Sequence, residues 1–287
     1  LRRGDLAWGL ALVVSWAVLA IAVMLLHAVV TGGVISYELG DWAPPWGIEY
    51  RIDAANAFVL LIVSGISAVV LPYARASIAS EIEESKHCLF YTAYLLCLTG
   101  LLGVAITGDA FNLFVFLEIT SLATYVLVAM GAGRDRRALT AAFTYLVMGT
   151  IGATFFVIGV GLLYMVTGTL NMADLALRIA DLGGNRTVSV AFAFLVVGLG
   201  LKLALFPLHL WLPNAYAYAP SAVTVFIAAT ATKVAVYALL RFLFTVFGLE
   251  FSIGALTLTY VFLPLAIAGM LAASTVAIFQ IDIKRML

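Results

Sequence analysis

Residues 188–212 read VSVAFAFLVVGLGLKLALFPLHLWL, and Lys202 is the one fully charged side chain in the stretch. A helix needs about 20 mainly apolar residues to cross a bilayer core, so this run is long enough to span. Pro207 follows the lysine by five residues. Its ring clashes with the carbonyl four residues earlier and it has no N–H to donate, which predicts a broken helix near 207. Broken backbone at membrane depth is tolerated only where it meets protein or a wet cavity. One stretch therefore predicts a spanning helix, an interruption in it and a buried charge beside the interruption.

The rest of the chain has the same character. Of 287 residues, 64% are hydrophobic and 10% charged, with 15 basic and 15 acidic side chains. Mean hydropathy is +1.14. Soluble domains carry about 25% charged residues, so this composition points to an all-α polytopic membrane bundle. Eight spans are predicted, over 6–30, 54–73, 88–107, 110–131, 139–166, 188–212, 220–247 and 254–280. A second break is predicted near 220, within PNAYAYAPS (213–221). Zero net charge excludes the basic excess that a nucleic-acid partner would need. Cys88 and Cys97, nine residues apart on one predicted helix, are too far apart to bridge. No cleavable signal peptide, haem ligand pair, iron–sulfur cysteine set or nucleotide fingerprint is visible, and no cofactor is expected.

The basic residues set the orientation. Arg2, Arg3, Arg75, Lys86, Arg134, Arg136, Arg137, Lys284 and Arg285 fall on the side of the N-terminus, against Arg51, Arg178 and Arg186 on the other. That bias predicts a cytoplasmic N-terminus in a cell membrane. The segment 170–182, LNMADLALRIADL, is too short to span. Met172, Leu175, Ala176 and Ile179 share one face and Asn171 can cap it, which predicts an amphipathic helix lying on the outer surface. Gly149, Gly152, Gly159 and Gly161 predict close helix packing. Trp8, Trp42, Trp46 and Trp211 are expected in an interfacial belt.

Three ionisable residues lie deep in predicted spans: Glu118, Lys202 and Lys233. Each costs at least about 2.5 kcal/mol at mid-bilayer, so each should face the bundle interior or water. Ser121 and Tyr125 fall on the Glu118 face. His209 lies seven residues past Lys202, while Thr230, Lys233, Tyr237 and Arg241 form one stripe. A lysine in a low-dielectric site can load and release a proton near neutral pH. The parts fit a proton relay, with Glu118 paired to Lys202 and Lys202 handing to Lys233 through water and His209. The plainer alternative is a buried pair that holds helices in register, with His209 an interfacial hydrogen-bonding residue, Arg241 snorkelling from a span end and Asp109 capping a helix.

These residues carry a family resemblance. TGDAFNLFVFLEITSLATYVLVA (107–129), GLGLKLALFPLHLWLPNAYAYAPSAV (198–223) and the lysine of ATKVAVYALLR (231–241) resemble the proton-conducting antiporter-like family. That family comprises the D-type subunits of multisubunit (Mrp-type) sodium/proton antiporters, related subunits of membrane-bound hydrogenases, and the antiporter-like subunits of complex I. YELGDWAPPWGIEYRID (37–53) is similar to the outer loop of the antiporter and hydrogenase branch. The resemblance implies an inverted-repeat transporter fold of about fourteen spans, of which this chain matches the second through ninth. It implies that Glu118 and Lys202 form the ion pair and Lys233 the central relay. It divides the chain into N-terminal helices and outer loop (1–87), a five-helix proton-conducting repeat (88–247) and the start of a second repeat (248–287), with half a pathway in hand. Asn214 departs from the aspartate of many relatives.

The expected function is a proton-translocating subunit of a monovalent cation (sodium)/proton antiporter, with other membrane subunits, the lipid bilayer, protons and sodium as partners. The alternatives are the same relay inside a quinone- or hydrogenase-linked redox pump, and a non-transporting structural remnant.

Overall fold

The computed structural model describes residues 3–254 and 258–286. Arg2 and the side chains of Arg3 and Arg285, used above for orientation, lie outside what is described. Helix α1 (Arg3–Gly32) leads into an antiparallel hairpin of β1 (Ile35–Glu38) and β2 (Glu49–Ile52). Then follow α2 (Ala54–Glu81), α3 (His87–Ile106), α4 (Ala110–Ala129), α5 (Arg137–Thr167), the short α6 (Met172–Asp181), α7 (Arg186–Lys202) and α8 (Leu212–Tyr218). Helix α9 (Ser221–Leu240) continues as a wide π-helical turn over Arg241–Val246. The described chain ends with α10 (Leu249–Gly254), a π-helical turn Leu258–Phe262, α11 (Leu263–Ile278) and α12 (Ile283–Met286).

Among the described residues, seven helices are long and apolar enough to cross a membrane, against the eight spans predicted. The difference falls on 188–212. Helix α7 has 17 residues and stops at Lys202 itself, one turn before Pro207. Ala204 then takes a left-handed φ of 59°, which an alanine rarely adopts outside a forced turn. Residues 255–257, inside the eighth predicted span, lie outside the described set.

The helix starts are specified locally. Asp53 accepts from the N–H groups of Ala55 and Asn56, and Asn56 accepts in turn from the Asp53 N–H, completing a capping box for α2. Asp109 caps α4 by accepting from the Asn112 N–H at 2.7 Å. Asn171 caps α6, which buries Met172, Leu175 and Ile179 with Ala176 half-buried, as an amphipathic surface helix requires.

The hairpin carries no local sequence signal; 31–52 reads only as an outer loop. Its pairing runs Ile35 to Ile52 and Glu38 to Glu49. The buried Glu49 carboxylate accepts from Ser36 Oγ at 2.6 Å and from Asn171 Nδ2 at 2.8 Å. The Gly108 N–H donates to the Glu49 carbonyl, and the Met172 N–H to the Gly108 carbonyl. One carboxylate residue thus joins the hairpin to the starts of α4 and α6. These elements define one face of the bundle, called the hairpin face below. Arg75, Arg134 and Arg137 lie at the opposite, arginine face.

Helices α5 and α7 pack through glycine. A Cβ on Gly198 would stand 2.7 Å from both the Gly152 carbonyl oxygen and the Phe156 nitrogen, and neither backbone atom can yield. Gly161, expected in the same seam, meets open space instead. Trp42 and Trp46 are exposed, and Trp8 lies under the Arg75 guanidinium, as an interfacial belt would have them. Trp211 is a correction: it is 3% exposed and belongs to the core. Gly198→Ala is expected to destabilise the bundle by about 1–3 kcal/mol through overpacking, whereas Gly161→Ala is expected to be near neutral. Thermal unfolding in detergent checks the contrast, and equal shifts would contradict this packing.

Candidate ion-pair site at the helix break

The site is built where α7 ends against α4. Lys202 Nζ lies 3.2 Å from Glu118 Oε1 and donates to Ser121 Oγ at 2.5 Å. The lysine side chain is 7% exposed and the carboxylate 27% exposed, so the buried ammonium has two oxygen partners. Ser121 lies one turn below Glu118 and gives its own proton to the Leu117 carbonyl at 2.6 Å. The two α4 side chains stand on one face because they are three residues apart.

The chain after Lys202 is held by an indole. Trp211 Nε1 donates to the Leu201 carbonyl at 3.1 Å, giving a helix-terminal acceptor a second partner beside the Ala204 N–H. The same indole stacks on Tyr145 at 4.0 Å, and Tyr145 meets Tyr125 edge-on at 4.8 Å. Tyr125 can sit there because residue 149 is glycine; any Cβ would collide with its hydroxyl. A cavity of about 20 Å³ adjoins Lys202, lined by Thr120, Ser121, Thr124 and Tyr145 and, on α9, by Val234 and Ala235. That volume accommodates about one water, which needs two to four polar partners and finds hydroxyls and the ammonium around it.

Lys233 stands apart from this pair. It lies on an exposed flank of α9, and its Nζ donates to the Ala228 carbonyl at 2.6 Å and to Thr232 Oγ1 at 3.3 Å. The neighbouring Val234 and Ala235 face the cavity. His209 lies beyond the break. Its ring stacks on Phe206 at 5.4 Å and its buried Nδ1 has no hydrogen-bond partner among the described residues. The structure therefore brings Glu118, Ser121 and Lys202 together and leaves Lys233 and His209 apart from them.

Two charged clusters at the ends of α9 have no counterpart in the sequence reading. At the arginine face, Glu81 accepts from Ser77 Oγ and the Ser221 N–H, while Lys284 Nζ donates to the Ala219 carbonyl and Ser221 Oγ. At the hairpin face, Arg241 forms a two-pronged ion pair with Asp53, at 2.6 and 2.9 Å. Burial works to raise the Asp53 carboxyl pKa but is outweighed by the hydrogen bonds from Arg241 and from the Asn56 and Ala55 N–H groups, which hold it below the ordinary value. The sequence signal for Arg241 is the stripe it shares with Lys233 and Tyr237, which reads as snorkelling because its partner is 188 residues away.

Residues 107–287 match the family described as NADH:quinone oxidoreductase/Mrp antiporter, transmembrane. The chain is 44% identical over 281 residues to the N-type NADH-quinone oxidoreductase subunit of Desulforudis audaxviator, covering 97% of this chain and 55% of that protein. It is 33% identical over 269 residues to the D-type Na+/H+ antiporter subunit of Alkalihalophilus pseudofirmus, covering 94% and 53%. It thus spans about half the length of these curated relatives. In the structure of the membrane-bound sulfane sulfur reductase, an archaeal respiratory membrane complex, one chain superposes with a TM-score of 0.88 at 32% identity, covering 97% of this chain and 55% of that one. With a buried Glu–Lys pair at a helix break inside an apolar bundle, and with that match over the greater part of its length, the chain belongs to the NADH:quinone oxidoreductase/Mrp antiporter transmembrane family.

Proposed function

We propose that this chain moves protons as one subunit of a multisubunit sodium/proton antiporter in the cell membrane, with its N-terminus in the cytoplasm. The observation that carries the reading is Lys202, 7% exposed at the end of a broken helix, paired with Glu118 and bordering a one-water cavity. An ammonium in such a site is stable with its carboxylate near and is discharged readily when that carboxylate is neutralised or drawn away. The cavity reaches Ala231, Val234 and Ala235 on α9, so a water there carries the proton from Lys202 toward the helix bearing the second lysine. His209, with a free buried ring nitrogen, is the further station. The unit that does this work is 88–247. Sodium movement, other membrane subunits and the surrounding lipid belong to the same reading.

A second reading is favoured by the 44% identity to an NADH-quinone oxidoreductase subunit: the same relay driven by redox chemistry in partner chains. Purifying the complex from its native membrane in mild detergent, with mass spectrometry of all partners, separates the two. Small membrane subunits alone support the antiporter; flavin- or iron–sulfur-carrying partners support the redox pump.

Glu118→Gln is expected to abolish coupled proton transport while the complex still assembles. Removing one member of a buried pair destabilises by about 3–5 kcal/mol, so Glu118→Ala is the harsher variant. Loss of assembly with Glu118→Gln would favour a purely structural pair. Lys202→Arg keeps the charge but hardly ever deprotonates, so transport is expected to fall to background. Proton flux in inverted vesicles checks this, and substantial retained flux would mean that Lys202 need not release its proton. Lys233→Ala is likewise expected to stop coupled transport with assembly intact, checked in the same vesicles, and undiminished flux would remove Lys233 from the relay.

A further inference from the structure

Arg241 and Tyr237 lie on the Lys233 stripe, between that lysine and the hairpin face. Arg241 is eight residues beyond Lys233, roughly 12 Å along the axis at helical rise. Its side chain is 16% exposed and locked on both sides. Two nitrogens hold Asp53, at 2.6 and 2.9 Å, while Nε and Nη2 donate to the Tyr237 hydroxyl at 3.1 and 2.9 Å. The Tyr237 hydroxyl in turn gives its one proton to the Ala105 carbonyl at 3.1 Å. A phenol has one proton to give and room for about two donors. This one is saturated: proton spent, acceptor positions filled by a guanidinium. Such a hydroxyl cannot pass a proton along.

Beyond it is a cavity of about 110 Å³ at the hairpin face, lined by Arg51, Asp53, Asn56, Thr107, Tyr237 and Arg241. Arg51 and the Asp53-paired Arg241 stand at the mouth of the stripe. The helix also changes character here: the π-helical turn begins at Arg241, and such turns recur at functional positions. Lys233 Nζ, bonded to Ala228, leans away from the arginine toward the opposite face. Arginine does not deprotonate near neutral pH, and a fixed guanidinium in a pore wall is an established way to exclude protons and cations.

We infer that Arg241, with the saturated Tyr237 hydroxyl, is a proton barrier that closes the hairpin-face end of the α9 stripe and keeps a proton on Lys233 from leaking out by that route. Arg241 is a positioning and exclusion residue, not a carrier. The inference rests on the reading of Lys233 as a proton station. Asp53 offsets much of the guanidinium charge at a distance, so the barrier rests on the route offering no exchangeable proton: the guanidinium does not release one and the Tyr237 hydroxyl is saturated.

The test uses the intact complex from its native membrane, reconstituted in liposomes, with passive proton conductance read from the decay of an imposed pH gradient. Arg241→Gln is expected to raise conductance several-fold. Arg241→Lys keeps a cation but one that can release its proton, so its conductance is expected to fall between wild type and Arg241→Gln. Adding Lys233→Ala to Arg241→Gln is expected to return the leak to the wild-type level. Asp53→Asn keeps the guanidinium and the Tyr237 bonds, so it is expected not to leak. A wild-type conductance in assembled Arg241→Gln complex overturns the barrier. So does a leak that survives Lys233→Ala, or an Asp53→Asn leak, which stays informative if Arg241→Gln fails to assemble. Coupled transport in the single Lys233→Ala variant is scored separately: undiminished transport there overturns the relay reading, whereas its loss with no Arg241→Gln leak overturns the barrier alone.

Discussion

An ammonium in an apolar bundle must find oxygen partners or give up its charge, and much of the described architecture around α7 answers that constraint at Lys202. Glu118 and Ser121 arrive from one face of α4. The helix stops at the lysine, which frees backbone acceptors, and Trp211 returns from further along the chain to cover the Leu201 carbonyl. Its indole then needs a flat surface, which Tyr145 supplies, and Tyr145 needs Tyr125, which needs the missing side chain of Gly149. Residues that look unrelated along the chain are successive consequences of placing one charge.

The helices that surround this chain of contacts divide into continuous and interrupted ones. Helix α5 runs unbroken for 31 residues and packs tightly on α7 through Gly152 and Gly198. Two interruptions, by contrast, crowd the stretch from Lys202 to Pro220, with α8 only seven residues long between them. Both lysines of interest flank that stretch, one at its start and one on the helix that follows. Of the deep charges, Lys202 sits at irregular backbone, which membrane depth tolerates only where the freed groups find partners, whereas Glu118 and Lys233 project from continuous helix.

How much was legible follows from the kind of information each feature needs. Membrane class, helix positions, the amphipathic α6 and the depth of Glu118 and Lys202 rest on composition and local periodicity, which one sequence carries in full. The pairing of Glu118 with Lys202 was legible because two opposite charges in apolar runs have few other options. The hairpin was not, since its keystone is a bond between Glu49 and Asn171, 122 residues apart. The Arg241–Asp53 pair was hidden for the same reason. Trp211 was misplaced because an aromatic near a span end has the same local signature whether it faces headgroups or plugs a break. Gly161 shows that a glycine in a small-residue seam carries no mark of which side of the helix its neighbour occupies.

The hydrogen bond from Ser121 to the Leu117 carbonyl has a consequence for how Lys202 responds to its own charge. With its proton committed to the backbone, that serine can accept but has nothing to donate. It therefore greets an ammonium and offers no complement to the lone pair of a neutral amine. A neutral amine keeps two N–H groups to give to Ser121 and Glu118, but these bonds are weaker than those of the ammonium, so discharge loosens the side chain without freeing it. The grip of the site on Lys202 is thereby graded by the lysine's own charge.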